Sequence, residues 1–150
     1  ADQFRSLLDA LPAGTVRWRD EYVADRDELL PYPSAADVYV LPSRHEGFPV
    51  APIEAMAGGL PLVAADAPGI SDILADGEAS GGIIVPMEDP VALAAALGAL
   101  IDDEERRARA AAAARRRAES TYSLEVVGKQ LRAFLLDGEP GQEPSAQSSD

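Results

Sequence analysis

Residues 35–64 read AADVYVLPSRHEGFPVAPIEAMAGGLPLVA, and this stretch decides the fold. Asp37–Leu41 is an apolar run too short for a helix and flanked by turn residues, as expected of a parallel strand buried on both faces. Pro42, Gly47 and Pro49 break the chain into a loop. Val50–Ala57 then has helical character, closed by Gly58–Gly59 as a C-cap, and Pro61 blocks any continuation. A second apolar run, Leu60–Ala64, follows as the next strand. The order is strand, loop, helix, strand.

In an open α/β sheet, the loop beyond the carboxyl end of a strand is where ligands bind. The helix that follows offers unpaired N–H groups and a partial positive charge, which together attract phosphate. Pro49 or Pro52 fits a first helical turn, where a missing N–H costs little. The free amides expected here are those of Gly47, Phe48, Val50 and Ala51. Glu46 in the loop and Glu54 on the helix, eight residues apart, bracket them. A carboxylate repels phosphate but accepts hydrogen bonds from hydroxyls, and its two oxygens suit a vicinal diol. The pattern fits a ligand with an anionic middle and a polyol at each end, such as a nucleotide diphosphate sugar. In a chain this rich in Glu the spacing alone is unspecific, so its position in the loop carries the weight.

Working outward, apolar runs alternate with helical patterns in the βαβα order that marks a parallel sheet covered by helices. Further strands are expected at Thr15–Trp18 and Gly82–Val85. Helices are expected near Arg26–Ser34, shortened or distorted by Pro31 and Pro33, and at Gly69–Leu74. After Val85 the pattern is helical only. Asp89 reads as an N-cap before Pro90, and Val91, Leu93, Leu97, Leu100 and Ile101 form a stripe meant to lie on the sheet. An Ala/Arg-rich helix covers Glu104–Glu119. Another runs from Ser123 to Leu136, with Leu124, Val127, Leu131 and Leu135 on one side. Gly138–Asp150, with almost no apolar anchor, reads as a disordered acidic tail. The chain begins with alanine and enters at once a helical pattern (Phe4, Leu7, Leu8, Leu11), so residues 1–137 are expected to be part of a longer domain.

With 26 acidic and 13 basic residues the net charge is −13, which repels nucleic acid and anionic lipid at long range. There is no cysteine, so a disulfide framework and thiolate metal chemistry are excluded. No apolar run reaches spanning length, and the cytoplasm is the default compartment. The sequence holds no GxGxxG fingerprint, Walker loop or nucleophile elbow, which leaves dehydrogenase, NTPase and hydrolase readings without support.

The segment resembles the retaining glycosyltransferases of the GT-B fold, whose C-terminal domain carries an E-x7-E motif in the form AD-V-x-V-x-PS-x-x-EGFP-x-x-x-x-EAMA-x-G-x-P-V-V-A. The match continues through Ala67-Pro68-Gly69-Ile70, Asp76-Gly77, Gly82–Pro86, Asp89-Pro90 and Tyr122-Ser123. It implies a Rossmann-like donor-binding domain, incomplete at its N-terminus, and transfer of a hexosyl group from a nucleotide sugar to a hydroxyl with retention. Glu46 would be the catalytic residue, hydrogen-bonding the donor sugar with the Gly47 and Phe48 amides beside it. Val50 and Ala51 would face the diphosphate, Glu54 would hold the ribose, and Glu21 to Val23 would lie near the base.

The resemblance implies no metal and no cofactor, the nucleotide sugar being a substrate. The acceptor, a sugar, lipid or small molecule, would belong to an N-terminal domain that could also make a peripheral membrane contact. The basic pair that neutralises the diphosphate lies upstream of the match, so this chain alone is expected to be inactive or nearly so. Many relatives have Glu where Asp72 stands. The alternative function is a non-catalytic nucleotide-binding or interaction module built on the same sheet.

Three other features have simpler readings. His45, the only histidine, could act as a general base but reads as an exposed loop residue. The arginines from Arg106 to Arg117 share their helix with Glu104, Glu105 and Glu119 and read as a solvated face. Trp18 could stack on a base, but its expected strand favours core packing.

Overall fold

A computed structural model describes residues 2–19, 21, 23–29 and 31–137. The acidic tail expected at 138–150 lies outside the described residues. The chain divides after Pro31 into two compact units.

In the first unit, helix α1 (Asp2–Asp9) is followed by turns and then by residues 16–19, which form no regular structure. The strand expected at Thr15–Trp18 is therefore absent. A strand needs a ladder of backbone partners, and β-branched and aromatic residues alone do not supply one. Nor is Trp18 a core residue, being 56% exposed. Arg19 Nη2 pairs with Glu28 at 2.5 Å, and Asp25 Oδ1 accepts from the Asp27 amide at the start of α2 (Arg26–Leu29). The helix expected over Arg26–Ser34 is helical at Arg26–Leu29 (α2) and at Pro31–Ser34 (α3), and Leu30 lies outside the described residues.

The second unit is built on three parallel strands in the order β1 (Tyr39–Leu41), β2 (Leu62–Ala65) and β3 (Gly82–Val85). Tyr39 pairs with Leu62 and Leu62 with Gly82, so all three carboxyl ends emerge on one side. Alternation along the strands sends Leu62 and Ala64 into one core and Val63 and Val85 into another. The first core is covered by α4 (Val50–Ala57), α5 (Ile70–Ile73) and one face of α7 (Glu104–Arg117), through Met56, Ile70, Ile73 and Ala114. The second is covered by α6 (Pro90–Ile101) and by Ala110 of α7. This is the helix–sheet–helix layering expected from the βαβα pattern.

Asp89 caps α6 as expected, its Oδ1 accepting from the Val91 and Ala92 amides at 3.1 and 2.9 Å. The face that α6 buries differs from the expected stripe. Ala96 and Leu100 are buried, whereas Val91 is 77% exposed and Ile101 also faces outward. A 3.6-residue period allows a narrow buried strip, and Val91 and Ile101 fall on its far flanks.

The α7 helix ends earlier than expected, passing at Ala118 into a π turn (Ala118–Tyr122) before α8 (Leu124–Asp137). Gly81, at φ +102, explains the alanines of α7. A Cβ there would lie 2.3 Å from the Ala114 Cα, so glycine on one side and alanine on the other let helix and loop backbones touch.

Candidate functional site

The loop from Pro42 to Pro49 leaves the carboxyl end of β1 and runs into α4. Pro49 is the N-cap and makes no side-chain capping bond. Of the four N–H groups that an α-helix leaves unpaired at its start, those of Pro49 and Pro52 do not exist. The two that remain belong to Val50 and Ala51, both exposed. The sequence thus reduces the helix terminus to two uncapped amides at the positive end of the dipole, a donor pair suited to a phosphate oxygen.

Glu54 sits one turn into α4. Side chains at i and i+4 share a face and lean toward the helix N-terminus, so Glu54 lies on the Val50 side. Glu46 is half-buried in the loop. Both carboxylates act on one group. The phenol of Tyr39, in β1 beneath the loop, is held above its ordinary pKa by burial first, then by the negative charges of Glu46 and Glu54. The expected pair therefore converges on one end of the sheet, with Gly47, Phe48, Val50 and Ala51 between them in sequence.

Two contacts outside the motif fix this loop. Gly69, the N-cap of α5 at φ +85, lies so close to the loop that a Cβ on it would stand 2.1 Å from the Gly47 carbonyl oxygen. The Phe48 ring lies 5.8 Å from that of Tyr122, at an interplanar angle of 59°. The Gly69 and Tyr122 positions belong to the motif matches noted in the sequence, but their contacts with the loop were not legible there. Neither residue carries a chemical signature, and both act through tertiary proximity.

On the same carboxyl edge, a cleft of about 380 Å³ is lined by residues including Pro42, Arg44, Ala65, Val85, Glu88 and Leu93. It includes neither Glu46 nor Glu54. Arg44 and Glu88 pair across it at 2.9 Å, and Glu88 adopts a left-handed φ of 58°.

His45 is exposed in the loop. Three arginines of α7 form the solvated, paired face expected: Arg106 with Glu78 at 2.6 Å, Arg109 with Glu105, and Arg115 with Glu119. Arg107 and Arg117 instead turn inward and donate to backbone carbonyls, Arg107 to those of Leu100 and Ile101 and Arg117 to that of Asp72. The bidentate Arg106 guanidinium holds the Glu78 carboxyl below its ordinary pKa. Glu21 and Val23, expected near a base, lie in the first unit, and Tyr22 is outside the described residues. Among the described residues no cluster of three or more His, Cys, Asp and Glu side chains could hold a metal, and no helix is long and apolar enough to cross a membrane.

Comparison with known proteins gives this geometry a family. The family model for glycosyl transferases group 1 matches residues 21–117. The D-inositol 3-phosphate glycosyltransferase of Corynebacterium urealyticum is 39% identical over 105 residues, 70% of this chain and 24% of that protein. Among solved structures, sucrose-phosphate synthase from Thermosynechococcus elongatus superposes with a TM-score of 0.65 at 31% identity, covering 77% of this chain and 29% of the other. Anabaena HepE in complex with UDP superposes with a TM-score of 0.66 at 25% identity, covering 75% and 30%. The first curated relatives are longer, and the chain spans between 15 and 24% of their length. The fold is the Rossmann-like α/β architecture of GT-B glycosyltransferases, and the chain belongs to the group 1 glycosyltransferase family.

Proposed function

We propose that this chain forms the donor-binding part of a retaining glycosyltransferase that moves a hexosyl group from a nucleotide diphosphate sugar to a hydroxyl acceptor. The observation that carries the reading is the uncapped Val50 and Ala51 amide pair flanked by Glu46 and Glu54. In this reading the two amides receive the diphosphate and Glu54 accepts from the ribose hydroxyls. Glu46 accepts from the sugar hydroxyls, with the Gly47 and Phe48 amides alongside.

During transfer the bond between the anomeric carbon and the diphosphate oxygen breaks, and negative charge grows on the departing diphosphate. Fixed amide dipoles aimed there stabilise the transition state without reorganising. The acceptor hydroxyl bonds to the same face of the anomeric carbon, and its proton leaves on the diphosphate. The acceptor, a sugar, lipid or small molecule, is presented by another part of a longer protein acting in the cytoplasm, with a peripheral membrane contact through that part if the acceptor is a lipid.

Support comes from the relatives. One is named a lipopolysaccharide core biosynthesis mannosyltransferase, from Rhizobium meliloti and 35% identical over 81 residues, and HepE was solved with UDP. The test is calorimetric titration of the chain with UDP and with GDP. One of them binds, and Glu54→Ala weakens it about tenfold or more through loss of a charged hydrogen-bond acceptor. Equal affinity in the variant would remove the ribose assignment. Binding by the chain without transfer in the longer protein would favour a non-catalytic module.

A further inference from the structure

Gly47 and Phe48, consecutive in the donor loop, are each contacted by a residue far along the chain, Gly69 and Tyr122, and Tyr122 is tied with Arg117 to one atom of α5. The Gly47 carbonyl is covered by Gly69 at the head of α5. The Phe48 ring, 54% exposed, rests on Tyr122 at a spacing and tilt within the favourable range for aromatic pairs. Tyr122 is anchored in turn, its Oη donating to the Asp72 carbonyl of α5 at 3.2 Å. Arg117 Nη2 donates to that same oxygen at 3.0 Å, while the guanidinium carbon stands 5.9 Å from the centre of the Tyr122 ring. Arg117 Nε is buried without a partner among the described residues, a desolvation cost that accompanies this placement. The π turn that ends on Tyr122 is a geometry frequent at functional sites.

We propose that Tyr122 is a positioning residue for the donor site, holding the Gly47–Phe48 peptide through the Phe48 ring and through Asp72, an inference that rests on the donor-site reading above. Without the ring contact, an exposed glycine–phenylalanine pair has no side-chain reason to keep one conformation. With it, the peptide is held at both ends, and the Phe48 N–H lies between two fixed points. Tyr122 also packs against the core that holds Met56 and Ile70, so the effect of losing the ring contact itself is the loosening of Gly47 and Phe48 that Phe48→Ala, made from the exposed side, reproduces.

The experiment uses the ¹⁵N-labelled 150-residue chain. Backbone order parameters are measured in wild type, Tyr122→Phe and Tyr122→Leu, with UDP and GDP affinities measured alongside. Tyr122→Leu keeps an apolar side chain but loses the ring. Order parameters at Gly47 and Phe48 should fall from about 0.8 toward 0.6 or below, well beyond any change in α4 and β2. Affinity for whichever nucleotide binds should fall about three- to tenfold. Tyr122→Phe keeps the ring contact but loses the hydrogen bond to Asp72, so it should fall between wild type and Tyr122→Leu. If Tyr122→Leu does not fold, Phe48→Ala breaks the same contact from its exposed side and should loosen Gly47 equally.

Rigid Gly47 and Phe48 amides in a folded Tyr122→Leu chain would overturn the proposal, as would unchanged affinity in that variant. If the wild-type chain binds neither UDP nor GDP, the donor reading fails, and the order parameters still decide whether Tyr122 holds the loop.

Discussion

Replacing Gly69 by alanine separates loop geometry from ordinary turn strain. Gly59 and Gly69 have nearly the same positive φ, +84 and +85, but a Cβ at Gly59 meets nothing within 4 Å. At Gly69 it would stand 2.1 Å from the Gly47 oxygen and 3.2 Å from the Gly47 carbon, both backbone atoms. The left-handed conformation alone costs alanine about 1–2 kcal/mol, so Gly59→Ala should lose about that much. Gly69→Ala carries the same cost plus an overlap that only a backbone shift of about 1 Å relieves, a further 1–3 kcal/mol by the scale of overpacked cores.

Thermal unfolding by circular dichroism should thus place Gly69→Ala well below Gly59→Ala, by about 4 °C or more. The shift also moves the Gly47–Phe48 amides, and misplacement by about 1 Å can cost a hundredfold in a site that works by alignment. Nucleotide affinity should accordingly fall in Gly69→Ala and survive in Gly59→Ala. Equal melting temperatures for the two variants would refute the reasoning, because they would show that the Gly47 carbonyl does not press on Gly69.

Two further perturbations test other joints. Gly81→Ala puts a Cβ 2.3–2.5 Å from the Ala114 Cα, N and Cβ, so helix α7 must lift off the sheet. A loss of about 3 kcal/mol or more is expected by chemical denaturation, and a variant within 1 kcal/mol of wild type would show that α7 does not pack there. Tyr39 should ionise only above its ordinary range in a spectrophotometric titration. Glu46→Gln or Glu54→Gln should bring it partway down, leaving the larger part due to burial. Because its folded pKa is raised, the associated stability is complete below about pH 10 and is lost as pH climbs through the folded value. A midpoint indifferent to both substitutions would mean that the two carboxylates do not converge on β1.

The sheet-forming runs from Asp37 onward were legible as continuous apolar segments bounded by Gly and Pro, but only β2 is buried along its whole length; β1 starts at Tyr39 and leaves Val40 37% exposed instead of burying both faces. The helix Val50–Ala57 was legible at both ends through the same bounding residue types. Thr15–Trp18 misled because its composition suits a strand, and composition does not show whether a ladder partner exists. The α6 stripe was half right, since two faces of an Ala-rich helix look equally apolar in sequence and only packing chooses Ala96 and Leu100 over Val91 and Ile101. The placement of Glu46 and Glu54 around the Val50 and Ala51 amides was legible because these residues are neighbours in the chain. The roles of Gly69, Arg117 and Tyr122 were not, because a clamp assembled from residues up to 75 positions apart leaves no periodic or compositional trace.

The central claim, that the head of α4 and the loop before it form a nucleotide donor site, is tested most directly by titrating the ¹⁵N-labelled chain with UDP and GDP and mapping amide shifts. The account predicts that one nucleotide moves the Gly47, Phe48, Val50 and Ala51 amides together and saturably, and that Glu54→Ala weakens the response. Shifts confined to other surfaces, or none with either nucleotide at millimolar concentration, would contradict it.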